Sequence, residues 1–359
     1  MTIRFYQAEC GDAASIKYNG TDGVIHNLFI DSGYARTFRH VLKNEIQNLI
    51  DNKEVIDLWV ISHIHDDHIG GAIAYIDTVK TSELKDIVEK WLYNFPRLSP
   101  SKILEFKSAN ISDAKSISQG DDLAEYLLSA KMISPDFTTT SIPLNLYGLK
   151  ITCLSPKPEQ LIDLRSKYSP SIGQALERIE QDFISVSTAR PAYDYHIPFE
   201  NFDLKKWKED DSVENASSIA LLVEYQNISS LWLGDAHPST VVNALKALRY
   251  SENNPLKCEL VKMSHHGSAG NNNDELFSMI DCRDFIFSAN GENKSCLPAK
   301  ECIVRLLRNN RRIIDHHYNL YFTYDNDLLR NIFSVDTDEI FKKFNFTVHY
   351  MSGTKQFFY

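Results

Sequence analysis

The sequence predicts an α/β fold, a sheet carrying helices on its outside. Three observations carry this expectation. The chain opens on three strand-like stretches separated by turn residues. It then alternates strand-like with helix-like segments. Polar, chemistry-bearing residues recur just past the carboxyl ends of the strands. At 359 residues, with 43% hydrophobic and 24% charged residues, the composition is that of a globular protein large enough for one big domain or two.

The opening strands are Ile3–Gln7, Ala14–Tyr18 and Val24–Asp31, parted by Gly11, Asn19-Gly20 and Asp22-Gly23. Thr37–Asp51 reads as an amphipathic helix, because Phe38, Val41, Leu42, Ile46 and Leu49 recur at helical spacing. The apolar run Ile56–Ile61 is a strand, and Ala72–Val79 a helix. Lys85–Leu92 and Asp122–Ala130 look helical, and Leu149–Leu154 is a strand ending at Ser155-Pro156. Residues 157–212 are charged, helix-prone over Ser171–Phe183 and then irregular, which reads as an insertion or lid. Regular structure resumes with strands Ser217–Tyr225 and Ser230–Leu233 and a helix over Ser239–Tyr250. The strand Leu260–Met263, a helix near Asp274–Ile280, the strand Asp284–Ser288 and a helix over Ala299–Asn309 follow. The tail, 313–359, is aromatic-rich and strand-like.

Bulk properties exclude some functions. The net charge of −10 gives no global attraction to nucleic acid or to an anionic membrane. No apolar run approaches the roughly 18–20 residues that span a bilayer, and the N-terminus lacks an apolar signal core. The six cysteines are scattered without a C-x-x-C, which argues against a zinc ribbon or a disulfide framework and fits reduced thiols in a cytoplasmic protein.

The most specific feature is His63-Ile64-His65-Asp66-Asp67-His68, directly after the strand Ile56–Ile61. Imidazole and carboxylate are ligands that Zn²⁺, Mn²⁺ and Fe²⁺ accept. In an extended segment His63 and His65 point to the same side. Asp67 and His68 are neighbours and cannot share that geometry, so they suit a second ion or a turned backbone, and Ile69-Gly70-Gly71 lets a helix begin. Asp31, Asp235, His265 and His266 also fall at the ends of predicted strands, where open α/β sheets place their sites.

The ordered set Asp31, His63-x-His65-x-Asp67-His68, Gly234-Asp235 and His266 resembles the metallo-β-lactamase superfamily. Within it the chain is most similar to the hydrolase domain of competence DNA-uptake proteins and their stand-alone relatives. That likeness is carried by Gly11-Asp12-Ala13, Phe95-Pro96-Arg97, Asn215-Ala216-Ser217-Ser218, Gly234-Asp235-Ala236 and Ser264-His265-His266-Gly267-Ser268. The superfamily's choline-phosphate esterases share the paired histidines. The resemblance spans about residues 3–310. It implies a four-layer αββα sandwich over 1–310, with 157–212 as its insertion and 311–359 as a strand-rich C-terminal extension.

It also implies two divalent ions, Zn²⁺ first and Mn²⁺ or Fe²⁺ as alternatives. His63 and His65 would hold one. Asp67, His68 and His266 would hold the other, and Asp235 would bridge them. Asp31 would fix the tautomer of a ligand imidazole. Asp67 and His265 are the catalytic candidates, with His265 touching either a metal or a substrate oxygen. Asn215, Ser218, Lys262 and Ser264 are the candidates on the substrate side. The implied activity is that of a phosphodiesterase or nuclease whose nucleophile is a metal-activated hydroxide; no G-x-S-x-G elbow supplies a serine instead. The alternatives are a small-molecule ester, thioester or lactam hydrolase, or a partner-gated effector that docks through the insertion or the extension.

The chain departs from the family in two places. Many members have a further ligand histidine before the bridging aspartate, where this chain offers Asn215, Ser217 and Ser218. His196, in the insertion, is the sole histidine between His68 and Asp235. Competence-like relatives often carry Gly-His-Pro after the last core strand, and here Leu297 stands where that histidine would fall. His237 reads as a helix start and His316-His317 as surface or core. Arg305, Arg308, Arg311 and Arg312 read as a solvated helix face in preference to a phosphate contact.

Overall fold

The structure is a computed structural model and describes residues 1–97, 111–168 and 192–359. Its strands are β1 (Thr2–Phe5), β2 (Ala14–Asn19), β3 (Ile25–Ile30), β4 (Leu58–Val60), β5 (Trp91–Leu92), β6 (Leu144–Leu146), β7 (Leu149–Ser155) and β8 (Ala220–Tyr225). Then come β9 (Ile228–Trp232), β10 (Leu256–Lys257), β11 (Leu260–Lys262), β12 (Ile280–Asp281), β13 (Asp284–Phe287), β14 (Tyr318–Phe322), β15 (Phe346–Tyr350) and β16 (Lys355–Phe358). They form one sheet in the order β16-β1-β2-β3-β4-β5 and a second in the order β15-β14-β13-β11-β9-β8-β7-β6, with β10 and β12 as a small ribbon.

Each sheet is antiparallel at one end and parallel at the other. In the first, β16-β1-β2-β3 pair antiparallel and β3-β4-β5 parallel. In the second, β6 to β9 pair antiparallel, and β9, β11, β13, β14 and β15 parallel. Parallel strands line up their carboxyl ends, so side chains following β3, β4, β9, β11 and β13 can converge.

Strand periodicity sorts the side chains into layers. Ala14, Ile16, Leu28, Ile30, Leu58 and Val60 of the first sheet meet Leu149, Ile151, Leu221, Val223, Trp232 and Ile286 of the second in one buried core between the sheets. The alternate residues face outward. Phe29, Trp59 and Trp91 pack under Phe38, Leu42, Ile46, Ile69 and Tyr75 of the segments after β3 and β4. Ala220, Leu222, Val261 and Phe285 pack under Val241, Leu245, Leu276, Ile303 and Leu306. The order is helix, sheet, sheet, helix. Trp59 stacks on Trp91 with centroids 4.9 Å apart, and burying one such ring contributes about 1.5–3 kcal/mol.

Two readings change. Lys85–Leu92 is not a helix: Ile56 bridges Val88, and Trp91-Leu92 pair with Trp59-Val60 as the edge strand β5. Its Ile87, Val88, Trp91 and Leu92 are all buried, and β-branched and aromatic side chains buried on both faces suit a strand beside β4. The arginine run is a solvated face only in part: Arg308 and Arg311 are exposed. Arg305 is 1% exposed and paired with Asp274 and Glu301, and Arg312 lies 4.1 Å from the Tyr318 ring centroid. The expected helix Ser171–Phe183 lies outside the described residues. Around it, the helix Pro158–Tyr168 buries Leu161, Leu164 and Tyr168, and Tyr195, Phe199 and Phe202 enter the outer core of the second sheet. The tail adds β14 and β15 to the second sheet and β16 to the first, with short helices Asp327–Arg330 and Glu339–Lys343 between them.

Candidate metal centre

The histidine motif is built by a strand end and a helix start. His63 follows β4, and His65 is the residue before the helix Asp66–Lys80, in extended conformation (φ −66°, ψ 142°). Asp67 and His68 then occupy the first helical turn, so the backbone has turned between the two halves of the motif. That turn is held from both sides. Ser32 Oγ donates to the His68 carbonyl (2.6 Å) and accepts from Ala72 N (2.8 Å), while Lys115 Nζ and Gln119 Nε2 both donate to Asp66 at 2.7 Å.

Three groups of donor atoms result, each lying within 4.8 Å of one another: His63, His65 and Asp235; Asp67, His68 and His266; and Asp12, His68 and Asp235, which overlaps the other two. His63 Nε2 lies 3.0 Å from His65 Nδ1 and 3.6 Å from Asp235 Oδ2. On the other side, Asp235 Oδ1 lies 3.4 Å from His68 Nε2 and 3.9 Å from His266 Nε2. Asp67 Oδ2 is 3.2 Å from His266 Nε2 and 3.7 Å from His68 Nε2. One carboxylate therefore presents one oxygen to each half of the cluster.

The outward nitrogens are fixed by hydrogen bonds. His68 Nδ1 faces Asp31 Oδ2 at 2.9 Å, and Asp31 also accepts from Ser62 N (2.7 Å) and Ser62 Oγ (2.8 Å). His266 Nδ1 faces the Ser288 carbonyl at 2.8 Å. His63 Nδ1 faces Ser62 Oγ at 3.1 Å. Each bond leaves the inward nitrogen as the lone-pair donor that a metal needs.

Asp31, His265 and His266 all have positive φ, at 56°, 45° and 54°. For non-glycine residues this costs of order 1–3 kcal/mol each, and such residues cluster at functional sites. Two consecutive left-handed residues let the adjacent His265 and His266 serve different halves of one cluster.

The electrostatics suit a cation. Burial disfavours charge on His68, yet Asp235, Asp67 and Asp31 outweigh it and hold its pKa well above the usual value. His266 is raised likewise against burial, by Cys10, Asp12 and Asp235. Burial and then His68 push His63 well below. Asp235 is held well below the carboxylate range despite its burial, by His68, His265 and His266. Crowded carboxylates thus recruit protons onto imidazoles. His68 Nε2 and Asp235 Oδ1 are nevertheless buried without hydrogen-bond partners, a costly arrangement that a cation between them would relieve. The donor set of nitrogen and oxygen without sulfur fits Zn²⁺, Mn²⁺ or Fe²⁺.

His265 stands at the side of this cluster with 23% of its side chain exposed. Its Nδ1 lies 2.9 Å from Asn271 Oδ1 and its Nε2 3.8 Å from Asp235 Oδ2, on the half that also holds His63 and His65. Asn215 Nδ2 lies 3.4 Å from the same His265 Nδ1 and donates to Asp210 Oδ2 at 2.6 Å.

The other residues expected towards substrate are engaged within the protein. Ser218 Oγ accepts from Asp235 N (3.0 Å), Ser264 Oγ donates to the Ala236 carbonyl (2.8 Å), and Lys262 is paired with Asp12. All three are buried, at 0%, 1% and 3% exposure. His196 is exposed, and His237 precedes the helix Pro238–Ala247. Leu297 is buried with Cys10 and Ala289.

Sequence reasoning did not identify Ser62, Asp210, Asn271 and Ser288, and singled out Asp12 only within the Gly11-Asp12-Ala13 likeness, with no role at the metals. Ser62 and Ser288 follow strands as single serines, and Asp210 sits in a charge run that reads as solvated. Ser62 adjoins His63 in the chain, whereas the other four reach the cluster only through tertiary packing.

No family model and no curated protein matches the chain. Among solved structures it is similar to the metallo-β-lactamase fold protein YhfI from Bacillus subtilis, at 10% identity and a TM-score of 0.41, covering 99% of each chain. It is also similar to CmlA, a diiron β-hydroxylase from Streptomyces venezuelae, at 10% identity and a TM-score of 0.41, over 99% of this chain and 54% of that one. With TM-scores this low, the site is read from this chain's own layers and side chains.

Proposed function

We propose that the chain is a metal-dependent hydrolase of metallo-β-lactamase type with a two-ion centre, acting on phosphodiesters. The carrying observation is Asp235, whose two oxygens face two separate imidazole groups while Oδ1 and the opposing His68 Nε2 lack any hydrogen-bond partner. His63 Nε2, His65 Nδ1 and Asp235 Oδ2 would hold one ion. Asp67, His68 Nε2, His266 Nε2 and Asp235 Oδ1 would hold the other. When bound, such ions supply Lewis acidity and a nucleophilic water at neutral pH.

The protein's own part is orientation. Asp31 and Ser288 fix the tautomers of His68 and His266, and Ser218 holds the Asp235 peptide. Asn271 aims His265 Nε2 towards Asp235, where it would meet a substrate oxygen beside the first ion. The phosphodiester assignment is supported by the motif likeness to competence-type hydrolases. The net charge of −10 favours a small phosphoester over a nucleic acid. No helix among the described residues is long and apolar enough to cross a membrane.

Elemental analysis of purified protein, with hydrolysis of bis-p-nitrophenyl phosphate and of single-stranded and duplex DNA under added Mn²⁺ or Zn²⁺, tests this. The expected result is two ions per chain and turnover that is lost in His65→Ala and Asp235→Ala. Absence of bound metal would refute the centre. Metal without phosphodiester turnover would shift the assignment to other esters.

A further inference from the structure

One lysine stands among the groups of the cluster. Lys262, on β11, is 3% exposed; its Nζ donates to the Gly234 carbonyl at 3.1 Å and pairs with Asp12. Asp12 is 6% exposed and sits in the loop between β1 and β2. Its Oδ1 lies 3.5 Å from His266 Nδ1 and its Oδ2 3.7 Å from His68 Nδ1. Its backbone is tied to the motif: Asp12 N donates to the Asp67 carbonyl (3.1 Å), and Gly33 N to the Asp12 carbonyl (2.7 Å).

Those two imidazole nitrogens already have closer acceptors, Ser288 O and Asp31 Oδ2 at 2.8 and 2.9 Å. Asp12 is therefore not required to set their tautomers. Neither Asp12 nor Lys262 is open to a substrate. What the pair contributes is charge and position. Asp12 joins the buried Asp31 and Asp235 and the partly exposed Asp67 as a fourth carboxylate, and Lys262 offsets one of the four. Through the Gly234 carbonyl, Lys262 also grips the peptide leading into Asp235.

We propose that Lys262 is the resident cation of the metal centre: paired with Asp12, it holds the carboxylates together before metal enters and sets how tightly divalent ions bind. This rests on the metal-centre reading above. Lys262 is thereby a positioning residue, in place of a group that contacts substrate.

The inference makes opposite predictions for the two halves of the pair. With Asp12, Asp31, Asp67 and Asp235 ionised, Lys262 charged and the imidazoles neutral, as ligation requires, the cluster carries −4 + 1 = −3. Asp12→Asn leaves −2, Lys262→Met leaves −4, and the double variant returns to −3. A unit charge this near a divalent ion changes affinity by about tenfold or more.

The test is calorimetric titration of the chelator-stripped full chain with Zn²⁺ and with Mn²⁺ at fixed pH, beside melting curves with and without metal. Wild type should take up two ions. Asp12→Asn should bind at least about tenfold more weakly, and the double variant should regain wild-type affinity. Lys262→Met should bind at least as tightly as wild type, yet melt well below it when stripped of metal and recover most of the loss when loaded. A packing role would instead weaken binding in both single variants in step with stability.

Weaker binding by Lys262→Met, or a double variant no tighter than Asp12→Asn, would overturn the proposal. If Lys262→Met does not fold, the comparison of Asp12→Asn with the double variant decides. A wild type that binds no metal would overturn the metal-centre reading and this one with it; wild-type binding with the wrong variant order would overturn this one alone.

Discussion

Replacing Asp31 by asparagine separates a carboxylate that orients a ligand from one that merely fills space. Asp31 Oδ1 accepts from Ser62 N at 2.7 Å, and Oδ2 accepts from Ser62 Oγ at 2.8 Å and faces His68 Nδ1 at 2.9 Å. Asparagine has the same shape and tolerates the φ of 56° that the site imposes, so the backbone is not the variable. Its amide nitrogen must go somewhere. Placed at Oδ1, it opposes the Ser62 N–H, and a buried donor left unsatisfied costs about 1–3 kcal/mol of stability.

Placed at Oδ2, the amide nitrogen opposes His68 Nδ1–H. The imidazole then keeps its proton on Nε2, the atom 3.4 Å from Asp235 Oδ1. Loss of such a supporting partner lowers metal affinity about 10–100-fold, which is roughly 1.4–2.7 kcal/mol. The penalty must appear in one measurement or the other. Urea unfolding of the metal-free protein reads the first, and competition with a chromogenic chelator the second. If Asp31→Asn matches wild type in both to within about 0.5 kcal/mol, Asp31 does not act as the structure indicates.

Three further outcomes follow from the geometry. A Cβ at Gly71 would fall onto the Ser32 carbonyl oxygen, so Gly71→Ala should lose about 1–3 kcal/mol in urea unfolding. It should also weaken metal binding, because it lifts the helix that carries Asp67 and His68. Metal uptake should release protons, since His68 and His266 are raised well above their usual pKa and must be neutral to ligate; equal calorimetric enthalpies in buffers of different ionisation enthalpy would contradict this. His26 feels burial working against its charge, but hydrogen bonds to Asp57 (2.6 Å) and Asp22 (3.1 Å) prevail and raise its pKa. Its charged pairs should contribute about 1–2 kcal/mol below the unfolded value near 6.5, and this contribution is lost as pH rises through the folded value. His26→Gln should flatten that part of the curve of melting temperature against pH.

Much of the architecture is written in local pattern. Strand alternation, helical spacing and turn residues place β2, β3, β7, β8, β11 and β13 within a residue or three of their observed ends. The main exception is Lys85–Leu92, where charged residues interleaved with apolar ones imitate helical spacing. Its strand pairing depends on Trp59 and Ile56, roughly 30 residues earlier, which local periodicity does not see.

The sequence by itself determined the ligand chemistry. Three imidazoles and two carboxylates packed into six positions at a strand end are a local fact, as are Asp235 and the paired histidines after their own strands. The tertiary structure alone decided what each donor faces. That Asp235 divides its oxygens between two groups, that Ser218, Lys262 and Ser264 are engaged inside the protein, and that Asp12 meets a lysine 250 residues away all follow from parallel strands of two sheets ending at one place. Side-chain identity is encoded residue by residue. The field at a buried site is a sum over every strand that arrives there, and this is why the metal-binding character was legible early and the internal counter-charge was not.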